Sequence, residues 1–398
     1  MTQTRTFAWT RGAEGLRQIA APWQELADSL PDAEYFQRPQ WYEAYLQLSE
    51  APQDMVWITV HEQGQLKAVW PLQQLKRRMG PLTVRELRLV NHGHMTLADV
   101  CADRRDTTLW PELWRWLHGR QAPDWDRLVV THTPADGVLA GWMQQQPPAH
   151  LLQSVASSSA RVDCRRSLDE LLKACGGNHR SNLSRRSKRA EAMGPLRYEL
   201  ARTPEELARL MPVFMSLEAS GWKGKAGSAV ASTPKVQAFY DTLLDGFGRR
   251  GECEIDVLYV GDRAVASVLW FRTARQIHLQ KIGYLEELSD LSPGKLLMRE
   301  SFRRACADPS LDRLCFITHP DWADPWKPEG NPVLEFSAFS NGLKGSLLFQ
   351  LNRTKRNRQA RRAEQARQAA AATPSPSAPD TSTPSSQPQA AALEPATS

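Results

Sequence analysis

"QIHLQKIGYLEELSDLSPGKLLMRESFRRACADP" runs from Gln276 to Pro309, and its reading decides the fold. Ile277, Leu279, Lys281 and Gly283 alternate with His278, Gln280, Ile282 and Tyr284, the period of a strand with two differently used faces. A loop follows, and then Ser292-Pro293-Gly294 opens a stretch whose apolar positions Leu296, Leu297, Phe302 and Ala305 fit a 3.6-residue period. Ser292 suits an N-cap, and Pro293 sits where the first helical turn tolerates it. A strand that delivers the chain to an uncovered helix N-terminus can make an anion site, because free backbone N–H groups and the positive end of the dipole converge there. Gly294 would let a phosphate approach the backbone and Lys295 would add charge. The same residues equally suit an ordinary capped helix start.

Working outward, two patterns occur twice. "MVWITVHEQGQLKAVWPLQQ" (Met55 to Gln74) and "CEIDVLYVGDRAVASVLWFRT" (Cys253 to Thr273) each show two apolar strands around a tight turn, at Gly64 and Gly261. "WDRLVVTHTP" (Trp125 to Pro134) matches "LDRLCFITHP" (Leu311 to Pro320), each a buried strand introduced by Asp-Arg-Leu and closed by Pro. Hairpin, strand, helix, strand thus recurs in both halves, the trace of a duplicated domain. The boundary falls in the small, polar "SVASSSARVDC" (Ser154 to Cys164), after which Ser167-Leu-Asp-Glu170 has the capping-box pattern of a helix that Gly176-Gly177 stops.

With 398 residues, 41% hydrophobic, 24% charged and fourteen Trp, the chain can bury a large core, and two folded domains plus a tail is the expected division. The net charge of +6 is local: between Lys344 and Arg367 eight basic residues face one acid, Glu364, which is a formal +7. That part of "LNRTKRNRQARRAEQARQAAAA" reads as a solvated helix, and the Pro/Ser/Thr/Ala-rich sequence from about Thr373 as a disordered tail. A second basic run, "NHRSNLSRRSKRAEAMG" (Asn178 to Gly194), spreads its cations over a wide arc of a helical wheel with Leu183 and Ala190 filling the gap, so it is a helix packed by one narrow edge. Neither basic stretch interleaves aromatics with its charge as nucleic-acid readers do.

Six scattered cysteines form no CxxC pair and read as reduced and packed, with Cys315 inert inside an apolar strand. His92 and His94 have metal-like spacing, but no nearby Cys or acid pair completes a site, so they read as loop residues and no metal is expected. The first residues lack a signal-peptide core, and no apolar run approaches the roughly 20 residues needed to cross a bilayer. A cytoplasmic protein without a membrane span is expected.

The layout resembles the GNAT acetyltransferase superfamily, more closely its cellulose-biosynthesis (CelD-type) branch, with FemABX-like peptidyl transferases as structural cousins. The resemblance is carried by "NLSRRSKRAEAMG" (Asn182 to Gly194), "SLEASGWKGKAG" (Ser216 to Gly227), "LYVGDRAVASVLWF" (Leu258 to Phe271), "IGYLEELSDLSPGKLL" (Ile282 to Leu297) and "DPWKPE" (Asp324 to Glu329), and more faintly by "YFQRPQWYEAY" (Tyr35 to Tyr45). It implies an α/β fold with mixed, largely antiparallel sheets in two tandem GNAT-like lobes. Residues 1–160 would form an acceptor-side lobe without CoA, 161–350 the acetyltransferase lobe, and 351–398 the basic helix and tail.

The resemblance further implies acetyl-CoA as acyl donor. The strand ending at Tyr284 would pair with the pantetheine arm, and Ser292, Gly294 and Lys295 would hold the pyrophosphate. The reaction needs positioning, a proton acceptor for the amine and a donor for the leaving thiolate. Glu218 is the candidate base and Tyr284 the candidate donor, although one suits a helix-surface acid and the other a packed strand aromatic; His278 is a second possible base. Trp222, Lys223, Trp326 and Lys327 would surround the acceptor, and Arg180 or Arg185 could reach a phosphate. Trp326 departs from the Tyr common at that position. The acceptor would be an amine, on a saccharide or an envelope or exopolysaccharide precursor among others. The alternatives are FemABX-like transfer of an aminoacyl group from tRNA and a non-catalytic nucleic-acid binder.

Overall fold

The computed structural model describes residues 5–220, 233–273 and 275–372; residues 1–349 form one compact unit, and the rest of the chain clusters separately. The chain opens with β1 (Arg5–Arg11), α1 (Gly12–Ser29) and α2 (Pro39–Leu48). It continues through β2 (Met55–Glu62), β3 (Gln65–Met79), β4 (Leu82–Leu89) and a short β5 (Cys101–Ala102) to α3 (Leu109–Leu117), β6 (Arg127–Pro134), α4 (Val138–Gln145) and β7 (Leu151–Asp163). Two connecting helices follow, α5 (Leu168–Ala174) and α6 (Gly177–Glu191). The succession then repeats as β8 (Leu196–Ala201), α7 (Pro204–Ser220), α8 (Pro234–Gly248), β9 (Cys253–Val260), β10 (Arg263–Thr273), β11 (Gln276–Tyr284), α9 (Pro293–Ala307), β12 (Arg313–Phe316) and β13 (Glu329–Phe339). A long helix, α10 (Leu343–Ala372), ends the described chain.

Duplication extends to single side chains. Before β6 the Asp126 N–H donates to the Arg85 carbonyl at 2.8 Å, and Arg85 Nη2 donates to Asp126 Oδ1 at 3.0 Å. Before β12 the Asp312 N–H donates to the Arg275 carbonyl at 2.7 Å, and Arg275 Nη2 donates to Asp312 Oδ1 at 2.9 Å. The Asp-Arg-Leu signature therefore does one job twice: its Asp ties the start of a parallel strand to its neighbour.

All strands but β5, which pairs with β3, line up in one sheet in the order β1-β2-β3-β4-β6-β13-β7-β12-β11-β10-β9-β8. β4–β6 and β11–β12 are parallel and every other pair is antiparallel. At the middle the two repeats exchange their last strands: β7 pairs with β12 of the second repeat, and β13 returns to pair with β6 of the first. One face of the sheet carries a core shared by both repeats, with Trp23, Trp41 and Trp57 from the first and Phe239, Phe247 and Phe271 from the second. Here α2 lies so close to α8 that a Cβ on Gly246 would come within 2.9 Å of Gln40 Cγ. The opposite face holds two separate cores, one under α3 and α4 with Trp70 stacked on Trp110 at 5.5 Å, and one under α6 and α9.

Ser167 and Glu170 form the expected capping box at α5, and the edge of α6 that packs is Leu183, Ser187 and Ala190. All six cysteines are free thiols. Two surface carboxylates give the fold an acid limit. Hydrogen bonds from Arg165 hold Asp163 down at about 2; burial raises Asp308, but bonds from Ser310 and Arg272 outweigh it and also leave it at about 2. Both folded-state values lie below the unfolded value of about 3.9, so the stabilisation is complete above that pH and is lost as pH falls through it toward 2. Circular dichroism against pH should show stability declining from about pH 4 downward, less steeply in Asp308→Asn.

Candidate active site

β11 and β12 pair only from Gln276 to Leu279, against Arg313 to Phe316, whereas β11 runs on to Tyr284. Past Leu279 the strand therefore keeps β10 on one edge and, among the described residues, has no strand on the other, which leaves an extended main chain facing a splay. A bulge marks that point: Trp270 pairs with Leu279 and Leu269 with Lys281, so Gln280 is extra. The strict alternation expected from Ile277 to Tyr284 is thereby broken. Lys281 and Gly283 turn toward α7, where a Cβ on Gly283 would lie 2.5 Å from Glu218 Cα. Ile282 and Tyr284 turn the other way, with their δ-carbons 3.5 and 3.6 Å from a Cβ placed on Gly294.

The start of α9 differs from the expected capped one. Ser292 adopts left-handed backbone (φ +48°) and makes no side-chain cap; its hydroxyl accepts from the Arg186 guanidinium and donates to the Ser289 carbonyl at 3.3 Å. The first turn of α9 is thus left without a side-chain acceptor, and Arg186 stands beside it. Arg186, Lys295, His179, Asn178 and Asn182 line a cleft of about 330 Å³. Its charge is positive: burial and then the Arg186 charge push Lys295 down, and burial, Lys295 and Arg186 push His179 down. Arg180, singled out from the sequence, is exposed six residues earlier in the helix. Arg186 was legible in retrospect, since it lies three positions after Leu183 and one before Ser187 and so borders the packed edge of α6.

Across the strand, Glu218 is 1% exposed and its Oε1 is 4.0 Å from Lys281 Nζ. Tyr284 is 37% exposed, and its carbonyl accepts from Ser220 Oγ at 3.2 Å. Trp222 and Lys223 lie outside the described residues. His278 is buried with its Nε2 2.8 Å from Glu34 Oε2, a carboxylate that also accepts from Thr273 Oγ1 and Gln276 Nε2. Trp326 is fully buried, 4.4 Å from the Phe302 ring and edge-on to His179 at 4.8 Å, while Lys327 is exposed. Cys315 is buried, donates to Gln276 Oε1 at 3.0 Å and is pushed up by burial to about 12. Among the described residues no group of three or more His, Cys, Asp or Glu could hold a metal ion.

The geometry thus offers a positive pocket at a helix start on one side of an open strand edge, and a buried acid with an amine beside it on the other. Comparison with known sequences falls on this region. Residues 177–327 match the model of a family described as an acetyltransferase (GNAT) domain. The matched stretch begins at the first residue of α6 and ends just past Trp326, so it takes in Arg186, Glu218, the β11 edge and the α9 start. A search of curated proteins finds no match. Among solved structures, FemX superposes with a TM-score of 0.54 at 12% identity, covering 83% of this chain and 98% of its own. The C-terminal domain of an Agrobacterium fabrum protein assigned as a lysylphosphatidylglycerol synthetase gives 0.50 at 13% identity, covering 83% of this chain and 96% of its own. At these identities the likeness is one of fold. No helix among the described residues is long and apolar enough to cross a membrane.

Proposed function

We propose that the protein transfers an acyl group, acetyl in the simplest case, from CoA to an amine acceptor. The observation that supports this reading is the open β11 edge from Gln280 to Tyr284 lying beside the positive start of α9. An amide-bearing pantetheine arm can hydrogen-bond to such an edge as a further strand would. The α9 N-terminus, Gly294, Lys295 and Arg186 would take the pyrophosphate, with Ser292 holding Arg186 in place. In the reaction the amine nitrogen attacks the thioester carbon, a C–N bond forms and the C–S bond breaks. Glu218 would accept the proton lost by the amine, and Tyr284 would supply one to the leaving thiolate. Trp222, Lys223, Arg180, Trp326 and Lys327 remain the acceptor-side candidates, and a saccharide or envelope precursor in the cytoplasm the candidate acceptor.

In the first repeat the equivalent helix, α3, is entered through Asp106, Thr107 and Thr108 and has no counterpart of the Ser292-Pro293-Gly294-Lys295 run. Without a glycine to let a phosphate approach or a lysine beside it, that start is less suited to a pyrophosphate, so we assign the donor to the second lobe alone and the acceptor side to the first. FemABX-like transfer from tRNA is the second reading, favoured by the FemX likeness across both lobes and by the basic run of α10.

Calorimetry on the full chain with acetyl-CoA, desulfo-CoA and a generic RNA separates these readings. Both CoA compounds should bind, and Gly294→Trp, which drives an indole against Ile282 and Tyr284, should weaken them by at least about 30-fold, roughly 2 kcal/mol. Tight RNA binding with no CoA binding would retire the acyl-CoA reading.

A further inference from the structure

The loop after β4 carries His92 and His94, which neither a metal site nor the donor pocket uses. It ends against the second lobe. The His94 carbonyl accepts from Gln280 Nε2 at 2.8 Å, and His94 Nδ1 lies 3.2 Å from the Tyr240 hydroxyl on α8. His94 thus links the two, its carbonyl on Gln280 and its ring on Tyr240. Gln280 is the extra residue of the β11 bulge, the point at which the open edge begins.

Building on the acyl-transfer reading, we infer that His94 is a positioning residue for that reaction, through which the first lobe clamps the bulge and the strand edge on which the thioester must lie. The protons support a clamp rather than a base. Burial raises the Tyr240 pKa, so the phenol stays protonated and has a hydrogen to donate to His94 Nδ1, 3.2 Å away. The imidazole is then the neutral Nε2–H tautomer. Burial, then Lys281 and His92, push His94 down to about 3, so the ring carries no second proton at neutral pH. Among the described residues the Glu218 charge also acts on this cluster, through Tyr240. A ring fixed in one tautomer and one charge state can hold its neighbours still but cannot shuttle protons. What it holds includes Gln280 Oε1, buried and without a partner among the described residues.

The test uses the full-length protein, acetyl-CoA and hydroxylamine as a small amine, with His94→Gln and with Tyr240→Phe, which keeps the ring and removes only the hydroxyl that touches Nδ1. Both variants should bind acetyl-CoA as tightly as the parent in calorimetry. CoA release should fall by about 10- to 100-fold in kcat with KM for acetyl-CoA unchanged, the cost of a misplaced reacting centre. The pH profile should keep its shape. Binding retained with unchanged rates in both variants overturns the inference and leaves the donor reading standing. An inflection near pH 6.5 in the parent that His94→Gln abolishes also overturns it, because His94 would then titrate as a proton carrier. Failure of the parent to bind acetyl-CoA removes the donor reading, and this inference with it.

Discussion

Gly283→Ala should cost about 100-fold in CoA release from acetyl-CoA and about 1–3 kcal/mol in stability, although it adds one methyl group. The position does not need glycine for its backbone angles, since its φ lies outside the left-handed region. It needs glycine for space: the added carbon would lie 2.5 Å from both the Glu218 nitrogen and Cα and 2.7 Å from the Leu217 carbonyl carbon. Those are backbone atoms of α7, so no side-chain rotation relieves the clash, and either the helix or the strand must move. Moving the strand shifts the edge past the bulge; moving the helix carries Glu218 away from Lys281. Gly64→Ala is the matching control. It has φ +80° with nothing within 4 Å of the new carbon, so it should lose about 1 kcal/mol to backbone strain and keep its activity. Urea midpoints and CoA release for the two variants check the contrast; equal losses of activity would sink the steric argument.

Asp256→Ala should be the most destabilising single change in the second lobe, by about 3–5 kcal/mol. The carboxylate is buried in β9 and accepts from Trp270 Nε1 and Ser301 Oγ at 2.9 Å each and from Arg304 Nη2 at 2.6 Å. Burial raises its pKa and the Arg304 charge opposes the rise. Truncation strands Trp270 Nε1 and leaves Arg304 with only the more distant Glu254 Oε2 at 3.6 Å, while Ser301 Oγ keeps the Leu297 carbonyl at 3.1 Å. Ser301 and Arg304 both belong to α9, so the carboxylate also sets where that helix begins. Chemical denaturation should show the loss, and acetyl-CoA affinity should fall in Asp256→Ala even where the protein is fully folded. Asp256→Leu with Arg304→Met should recover part of the stability, since it leaves no buried charge unpaired. If the double change is as unstable as the single one, the cost lies in packing and not in the stranded guanidinium.

Local features of this fold were legible in the sequence because they depend on neighbours in the chain. Alternation gave the hairpins, Ser167 and Glu170 gave a capping box, and Leu183 with Ala190 gave the buried edge of α6. The repeated Asp-Arg-Leu gave the duplication, and the Ser-Pro-Gly-Lys run marked the start of α9. What stayed hidden depends on distant partners. A bulge at Gln280 leaves no mark in composition, yet it reverses which side of the sheet Lys281, Ile282, Gly283 and Tyr284 occupy. Ser292 looked like a cap because its left-handed backbone comes from the packing around it, including Arg186 over a hundred positions earlier in the chain. Of the basic residues near Arg180, only helix phase relative to Leu183 distinguishes the one at the α9 start. His94 looked like a loop residue because its partners, Tyr240 and Gln280, lie in the other half of the chain.

The exchange of last strands also governs how the protein comes into being. Arg127 of β6 reaches Ser337 of β13, a partner 210 positions later. During synthesis the first half therefore exists for a time as a sheet with an unsatisfied margin at β6, while β7 waits for β12. Such a margin invites pairing with another nascent chain, and contacts so remote in sequence form slowly. Neither half is a finished product alone, so a gene cut between them should yield fragments that either find each other or aggregate.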